Sequence, residues 1–339
     1  MTTFLKNTWY MAAWNHELEQ GLLGRTLIGI PLVLFRDERG QACALYDRCP
    51  HRFAPLSAGE LREGQVMCKY HGLRFASSGE CSHNPWGGKT PAACKVGAYP
   101  VVEQDQAVWV WLGDAALADP RQIPRLPFMT DPGMRSVKGY TFAQANYQLL
   151  TDNLMDLSHA RFLHPGFGGD LYNPTSRVEI GEDTVTACFF VENVDNPEFP
   201  ECAWSSHGKK VDLWDDITWY QPANLVLESG VTLHSTPRSE GWVIPAGHFL
   251  TPENEHSTHY FWGSAVEQDN PMSNDDVIAV LSQAFDEEDK PMIEATYKRM
   301  AGQPFWDLQP VLLPHDVGAV RVRRLLAERI AREAQERLA

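Results

Sequence analysis

Three observations predict an α+β chain in two parts. Residues 8 to 115 carry short β signals punctuated by Gly and Pro. A segment with three prolines, "GDAALADPRQIPRLP" at 113–127, interrupts that pattern. The residues beyond it mix helical with strand-like runs. The expected domains are an all-β unit over 1–115 and a mixed unit over 116–339, parted in the proline-bearing segment.

Taken in order, "RTLIGIPLVLFRD" and "QACALYDRC" read as strands separated by the turn-like "ERG", and "AVWVWLGD" reads as a buried strand ending in a Gly-Asp turn. Such spacing predicts a small sandwich or barrel. In the second part, "YQLLTDNLMDLSHARFLH" (147–164) has a helical pattern that stops at Pro165-Gly166. The runs "TVTACFFVENV", "ITWYQPANLVLESGVTL", "HFLTPE" and "STHYFWGSAV" follow as strands. Helices are expected around 275–299 and 317–337.

Composition narrows the function classes. The 339 residues, 43% hydrophobic and 22% charged, are those of a globular chain. A net charge of −15 argues against nucleic acid or an anionic membrane as the main partner. No apolar run approaches a membrane span of about 20 residues. The opening "MTTFLKNTWYMAAWNHELEQ" lacks a basic stretch followed by an apolar one, so no signal peptide is expected. Seven cysteines, an odd number, suit a reducing cytoplasm better than a disulfide framework.

The sharpest motif is "CPHRFAPLSAGELREGQVMCKYHGLRF". It holds two couples, Cys49-x-His51 and Cys68-x-x-His71. Four soft or borderline ligands on two loops are a metal-binding set. Structural zinc is one reading. The histidines, however, sit one beside each cysteine, which is the pattern of a Rieske [2Fe–2S] cluster, where two thiolates hold one iron and two imidazoles the other. Gly72 suits a tight loop. Cys43, Cys81, Cys94, Cys188 and Cys202 are expected as small buried hydrophobes.

"NLMDLSHARFLH" supplies two further histidines. His159 and His164 stand about 140° apart on an ideal helix, so they meet on one metal only where the helix bulges or unwinds. A core histidine and a helix-terminal one is the alternative. Asp156 lies three residues before His159, close enough on a helix to hydrogen-bond its imidazole. In "AFDEEDKPMIEA" the apolar positions place Glu288 and Asp289 on the inward face, with Asp286 and Glu287 turned away. Pro291 is placed to kink this helix.

Together these motifs resemble the Rieske non-heme iron oxygenases, in the monooxygenase branch of the vanillate, dicamba and toluenesulfonate systems. The resemblance covers nearly the full length, including "NTWYMAAW", "ANYQLLTDNLMDLSHARFLH" and "FLTPENEHSTHYFWG". It implies a Rieske domain followed by a helix-grip (START-like) catalytic domain with an antiparallel sheet. It further implies mononuclear Fe(II) on His159, His164 and one carboxylate, for which Asp289 is chosen. Asp156 would link that site to His71 of a neighbouring subunit in a head-to-tail homotrimer. Leu227, Glu228, His234, His248 and Val280 are the implied substrate-pocket candidates, each equally compatible with plain packing.

No Arg or Lys stands out as a carboxylate clamp, and Arg161 is expected to face away. The chain has no G-x-G-x-x-G fingerprint, so electrons would come from NAD(P)H through a separate flavin and [2Fe–2S] reductase. The implied reaction uses O2 to oxidise a methyl carbon of a small aromatic acid, with O-demethylation and formaldehyde release favoured. Ring-methyl hydroxylation and cis-dihydroxylation are alternatives with the same iron. An electron carrier with a binding domain is an alternative of another class, and it would need neither His159 nor His164.

Overall fold

The computed structural model describes residues 4–164, 173–195 and 204–336. Pro165-Gly166 and Cys202 lie outside them. Contacts divide the chain into Met1–Arg125 with Thr251–Asn254, and Leu126–Leu250 with Glu255–Ala339.

The division falls inside the proline-bearing segment, beyond residue 115. Local capping explains why. Asp114 and Asp119 each accept a hydrogen bond from the backbone N–H two residues on, starting single 3-10 turns at Ala115–Leu117 and Pro120–Gln122. Trp9 Nε1 donates to the Asp119 carbonyl at 2.9 Å, which ties these turns back to the first unit. Residues 251–254 join that unit by backbone pairing. Ile28 N–H donates to Pro252 and Gly29 N–H to Glu253, each at 2.7 Å.

The first unit holds one three-stranded and two four-stranded sheets. Trp9–Trp14, Ala107–Trp111 and Val101–Gln104 form the first, and all residues of the 9–14 and 107–111 strands are buried. The run read as one strand, "RTLIGIPLVLFRD", is a hairpin of Leu23–Leu27 and Ile30–Arg36. Its two-residue turn, Ile28-Gly29, has φ values of 47° and 77°, the left-handed pair that matches strand twist. An isoleucine at positive φ disguised that turn. The third sheet, Glu60–Arg62, Gln65–Met67, Arg74–Phe75 and Cys81–His83, lies beside the two Cys-His loops. Cys49 and Cys68 belong to its apolar cluster with Val33, Phe35, Val66 and Phe75.

The second unit is built on a seven-stranded sheet. Its strand order is Met134–Ala143, Thr258–Glu267, Trp242–Pro252, Asn224–Leu233, Val211–Tyr220, Thr184–Val194 and Thr175–Ile180. The run 217–233 is therefore two strands, turned at Gln221-Pro222. Helices Tyr147–Met155, Asn274–Ser282, Lys290–Met300 and Val317–Glu336 accompany the sheet. Gly139 gives room for Trp262, whose ring lies where a Cβ would be, 1.9 Å from that position. The helix Tyr147–Met155 is locked to Val317–Glu336 by Arg323. Its guanidinium donates to both oxygens of Asp152 at 2.8 and 2.6 Å and to Gln148 at 2.7 Å. Removing one partner of such a buried pair typically costs about 3–5 kcal/mol. Among the described residues no helix is long and apolar enough to cross a membrane.

Candidate metal centres and active-site cavity

The two Cys-His loops share one hydrogen-bond pattern. Cys49 N–H donates to Ala54 and Phe53 N–H donates back to Cys49; Cys68 N–H donates to Leu73 and Gly72 N–H donates back to Cys68. The equivalent positions Phe53 and Gly72 both take positive φ, 61° and 78°. Each loop thus closes on itself and presents its cysteine inward. Both cysteines are 2% exposed. The rings of His51 and His71 stand edge to face with centroids 4.5 Å apart. Burial, with Cys68 alongside, pushes the Cys49 thiol up to about 11. A bound metal reverses that preference, because only thiolate ligates. Two buried cysteines and a close pair of imidazoles supply the donor types of a Rieske cluster.

Cys188 is buried. Cys43, Cys81 and Cys94 are half-buried at the edge of the same apolar cluster, less enclosed than expected for core cysteines.

In the second unit the 147–164 helix breaks, but ahead of both histidines rather than between them. Tyr147–Met155 ends at Asp156, whose φ of −131° and ψ of 87° leave the helix; a 3-10 turn Leu157–His159 and a short helix Ala160–Leu163 follow. Between the histidines Ala160–Leu163 stays helical; His164 itself leaves the helix, at φ −115° and ψ 75°, and His159 Nε2 and His164 Nε2 come to 3.2 Å. Asp289 Oδ1 lies 3.4 Å from the first and 3.2 Å from the second. Among the described residues this trio is the set whose ligand atoms all lie within 4.8 Å of one another.

Asp289 arrives through a π-helical turn, Gln283–Asp289, between Asn274–Ser282 and Lys290–Met300. The wider turn re-aims the carboxylate, and Pro291 sits in the first turn of the helix that follows. A π turn, rather than a proline kink, sets the direction.

Each imidazole is oriented from behind. His159 Nδ1 is 2.6 Å from the backbone oxygen of Asp156, and His164 Nδ1 is 2.7 Å from Glu288 Oε2. With both Nδ1 hydrogens donated there, the Nε2 lone pairs face each other and Asp289. Such crowding of acceptors is relieved by a cation. Burial raises the Asp289 carboxyl, but once the facing imidazoles carry protons on Nε2 their bonds and charge outweigh that and hold it well below the ordinary carboxylate range. Two imidazoles and one carboxylate are the donor set of a facial iron triad.

Asp156 differs from the sequence expectation. Its backbone, not its carboxylate, meets the His159 ring; the side chain accepts from Ser158 N–H and starts the 3-10 turn. Sequence reasoning assigned no role to Asn153 and Glu288. Asn153 Nδ2 donates to Asp289 at 3.1 Å and lies 3.3 Å from His159 Nε2. The pairing of Glu288 with His164 was foreshadowed only by its place on the inward face.

The trio opens onto a cavity of about 220 Å³. Three of the five pocket candidates, Leu227, His248 and Val280, line it. Glu228 and His234 do not. Alternation along Asn224–Leu233 turns Glu228 to the opposite face, where it accepts from Trp214 Nε1 at 3.3 Å. His234 lies past the strand end, exposed, 2.7 Å from Asp212.

Strand register orders the cavity-side face of the sheet in rows: Leu213–Val231–Trp242, Asp215–Ser229–Ile244, Ile217–Leu227–Ala246 and Trp219–Leu225–His248. His248 is buried, which pushes it down to about 4, so its ring is neutral. Its Nδ1 is 2.7 Å from the Tyr260 hydroxyl. His248 Nε2 and Trp242 Nε1 are buried without a hydrogen-bond partner among the described residues. No Lys or Arg lines the cavity among them.

Comparisons with known proteins agree with this architecture. Residues 8–100 match the Rieske [2Fe-2S] domain, and residues 143–332 match the vanillate O-demethylase oxygenase C-terminal domain. The chain is 39% identical, over 95% of its length and 96% of the relative, to the oxygenase component of dicamba O-demethylase from Stenotrophomonas maltophilia. It is 32% identical, over 98% of its length and 96% of the relative, to a vanillate O-demethylase oxygenase subunit of a Pseudomonas species. A crystal structure of dicamba monooxygenase bound to 3,6-dichlorosalicylic acid superposes with a TM-score of 0.92 at 38% identity, covering 98% of this chain and 99% of that one. With one half carrying the twin Cys-His loops and the other the His-His-Asp trio, this chain belongs to the Rieske non-heme iron oxygenases, as an oxygenase component of the vanillate O-demethylase branch.

Proposed function

We propose that this chain removes the methyl group of a small methoxy-substituted aromatic compound by oxidising its methyl carbon. The observation that carries the reading is the His159–His164–Asp289 trio opening directly onto an otherwise largely apolar cavity of about 220 Å³. The relatives named for dicamba and vanillate O-demethylation support the reaction type.

Cys49, His51, Cys68 and His71 would hold the [2Fe–2S] cluster, and His159, His164 and Asp289 the Fe(II). Bound there, these groups supply single electrons and O2 activation. Two electrons from NAD(P)H, delivered by a separate reductase, two protons and one O2 balance the reaction. One oxygen atom enters the methyl C–H bond and the other leaves as water. The resulting hemiacetal splits into a phenol and formaldehyde.

The protein's own contribution is positioning. Leu227, Ala246 and Val280 enclose the ring. With the Tyr260 hydroxyl donating to Nδ1, His248 Nε2 offers a neutral hydrogen-bond donor beside the iron trio. The acid group implied by family resemblance meets neutral donors here, not a cation. Asp156 would carry the electron route between His159 and the His71 of a neighbouring subunit in a trimeric ring.

The test is turnover with a compatible reductase, NADH and a panel of methoxy- and methyl-arenes. Formaldehyde equal to substrate consumed is expected. A benzylic alcohol or a cis-diol as the coupled product overturns demethylation.

A further inference from the structure

Two half-buried cysteines outside both metal sites stand side by side. An antiparallel bridge pairs Glu80 with Lys95, and Val96 N–H donates to the Gly79 carbonyl at 2.9 Å. The next position in that register sets Cys81 opposite Cys94. Facing residues of antiparallel strands have Cα atoms about 4.5–5.5 Å apart, within the span of roughly 4.4–6.8 Å that a disulfide bridges. Both thiols are free, and they are in hydrogen-bonding contact with each other. Ser82, His83, Ala93 and Lys95 beside them are exposed, which leaves the pair open to a small reagent.

The chain between the two cysteines lies on a cluster loop. Trp86 Nε1 donates to the His71 carbonyl at 3.1 Å, and Pro85 Cγ is 3.1 Å from where a Cβ on Gly72 would stand. Asn84 shapes this segment: it accepts from Trp86 N–H and donates to the Gly87 carbonyl, each at 3.1 Å. Trp86 is nonetheless 76% exposed, so its place over His71 depends on how firmly the ends of the segment are held.

We propose that Cys81 and Cys94 form a reversible disulfide that clamps residues 82–93 over the His71 loop, with a low-molecular-weight disulfide as the oxidant. Burial, with Cys81 alongside, pushes the Cys94 thiol up to about 11, so Cys94 keeps its proton and Cys81 is the attacking sulfur. The Cys81 thiolate breaks the S–S bond of the oxidant, forms a mixed disulfide and expels one small thiolate. The Cys94 sulfur then displaces the second. The two cysteine sulfurs lose two electrons, the two sulfurs of the oxidant gain them, and the expelled thiolates take up the two protons. Closing the 81–94 loop covalently removes conformations in which its middle leaves His71.

The experiment treats the metal-loaded protein, reduced and then freed of reductant, with oxidised glutathione in the absence of O2. Free thiols are alkylated and the peptides mapped by mass spectrometry. A Cys81–Cys94 crosslink that a dithiol reverses is expected. Cys94→Ser is expected to hold glutathione on Cys81. Cluster loss to an iron chelator, followed by visible absorbance, is expected to slow at least ~3-fold in the oxidised wild type. In Cys81→Ser the same treatment is expected to leave that rate unchanged. Absence of the crosslink in protein with intact cluster absorption overturns the proposal, as does a crosslink of either cysteine to Cys43 in its place. A crosslinked protein that loses its cluster at the reduced rate overturns the clamp. No substrate enters these readouts, so their failure leaves the demethylation reading standing.

Discussion

The cluster loops and the iron trio hold their ligands by different means. Each Cys-His loop is closed within six residues by two backbone hydrogen bonds, at Cys49 with Phe53 and Ala54, and at Cys68 with Gly72 and Leu73. The trio joins a broken helix at 156–164 to a π turn 125 residues further on, with Asn153 and Glu288 bridging the gap through side chains. The first region is set by local turns. The second depends on two elements packing in register, so its ligands are spread among more supporting groups. Disturbing a loop should remove a metal centre outright, while disturbing the trio's supports should lower iron affinity or rate in steps.

Four substitutions break or sharpen that contrast, in falling order of effect. Cys68→Ser removes a ligand that no neighbour replaces. The purified protein is expected to lose the visible cluster absorption, its labile sulfide and all reductase-driven activity. Retention of sulfide would put the loop reading aside.

Asp156→Asn keeps both metal centres and drops turnover by more than ~100-fold, beyond the ~10–100-fold typical of losing a group that merely supports a ligand. The carboxylate caps a turn, and Asn caps equally well, so the fold survives. Single-turnover kinetics should show reduced cluster stranded beside unreacted iron. Near-normal turnover would leave Asp156 as a cap only.

Glu288→Gln loses a charged acceptor behind His164, and an iron affinity weaker by ~10–100-fold is expected, with cluster absorption intact. Iron titration of the stripped protein measures it. Equal affinities would show that His164 needs no support, and would erase the contrast with the loops.

The smallest effect concerns the cavity. Burial pushes His248 from about 6.5 down to about 4. Between those values the unfolded chain binds a proton that the folded chain refuses. The stability contributed by the neutral ring is therefore complete above pH 6.5 and declines as pH falls toward 4, by on the order of 3 kcal/mol in all. The unfolding midpoint of the wild type should fall more steeply from pH 6.5 to 5 than that of His248→Gln. Parallel curves would show the ring to be hydrated.

How much of the site was legible follows from the same distinction. The Cys-His couples could be read because all four ligands lie within 23 residues and their turns within 25. The five-residue spacing called for an unwound turn between the histidines; the structure instead breaks the helix ahead of them at Asp156, keeps Ala160–Leu163 helical, and lets only His164 leave the helix. Glu228 misled because membership in a strand says nothing of which face a side chain takes until register is known, and His234 because it lies past the strand end. The hairpin turn at Ile28-Gly29 was hidden by a residue type that rarely adopts positive φ.

By itself the sequence determined the α+β class and the two Cys-His loops, since each rests on spacing and local backbone chemistry. Only the tertiary structure decided that a π turn aims Asp289 at both imidazoles, that Asp156 meets His159 through its backbone, and that Asp215 and Ser229 share a wall with His248. The first depends on packing between segments more than a hundred residues apart, the second on the backbone angles at the break and the third on strand register, none of which the residue pattern encodes.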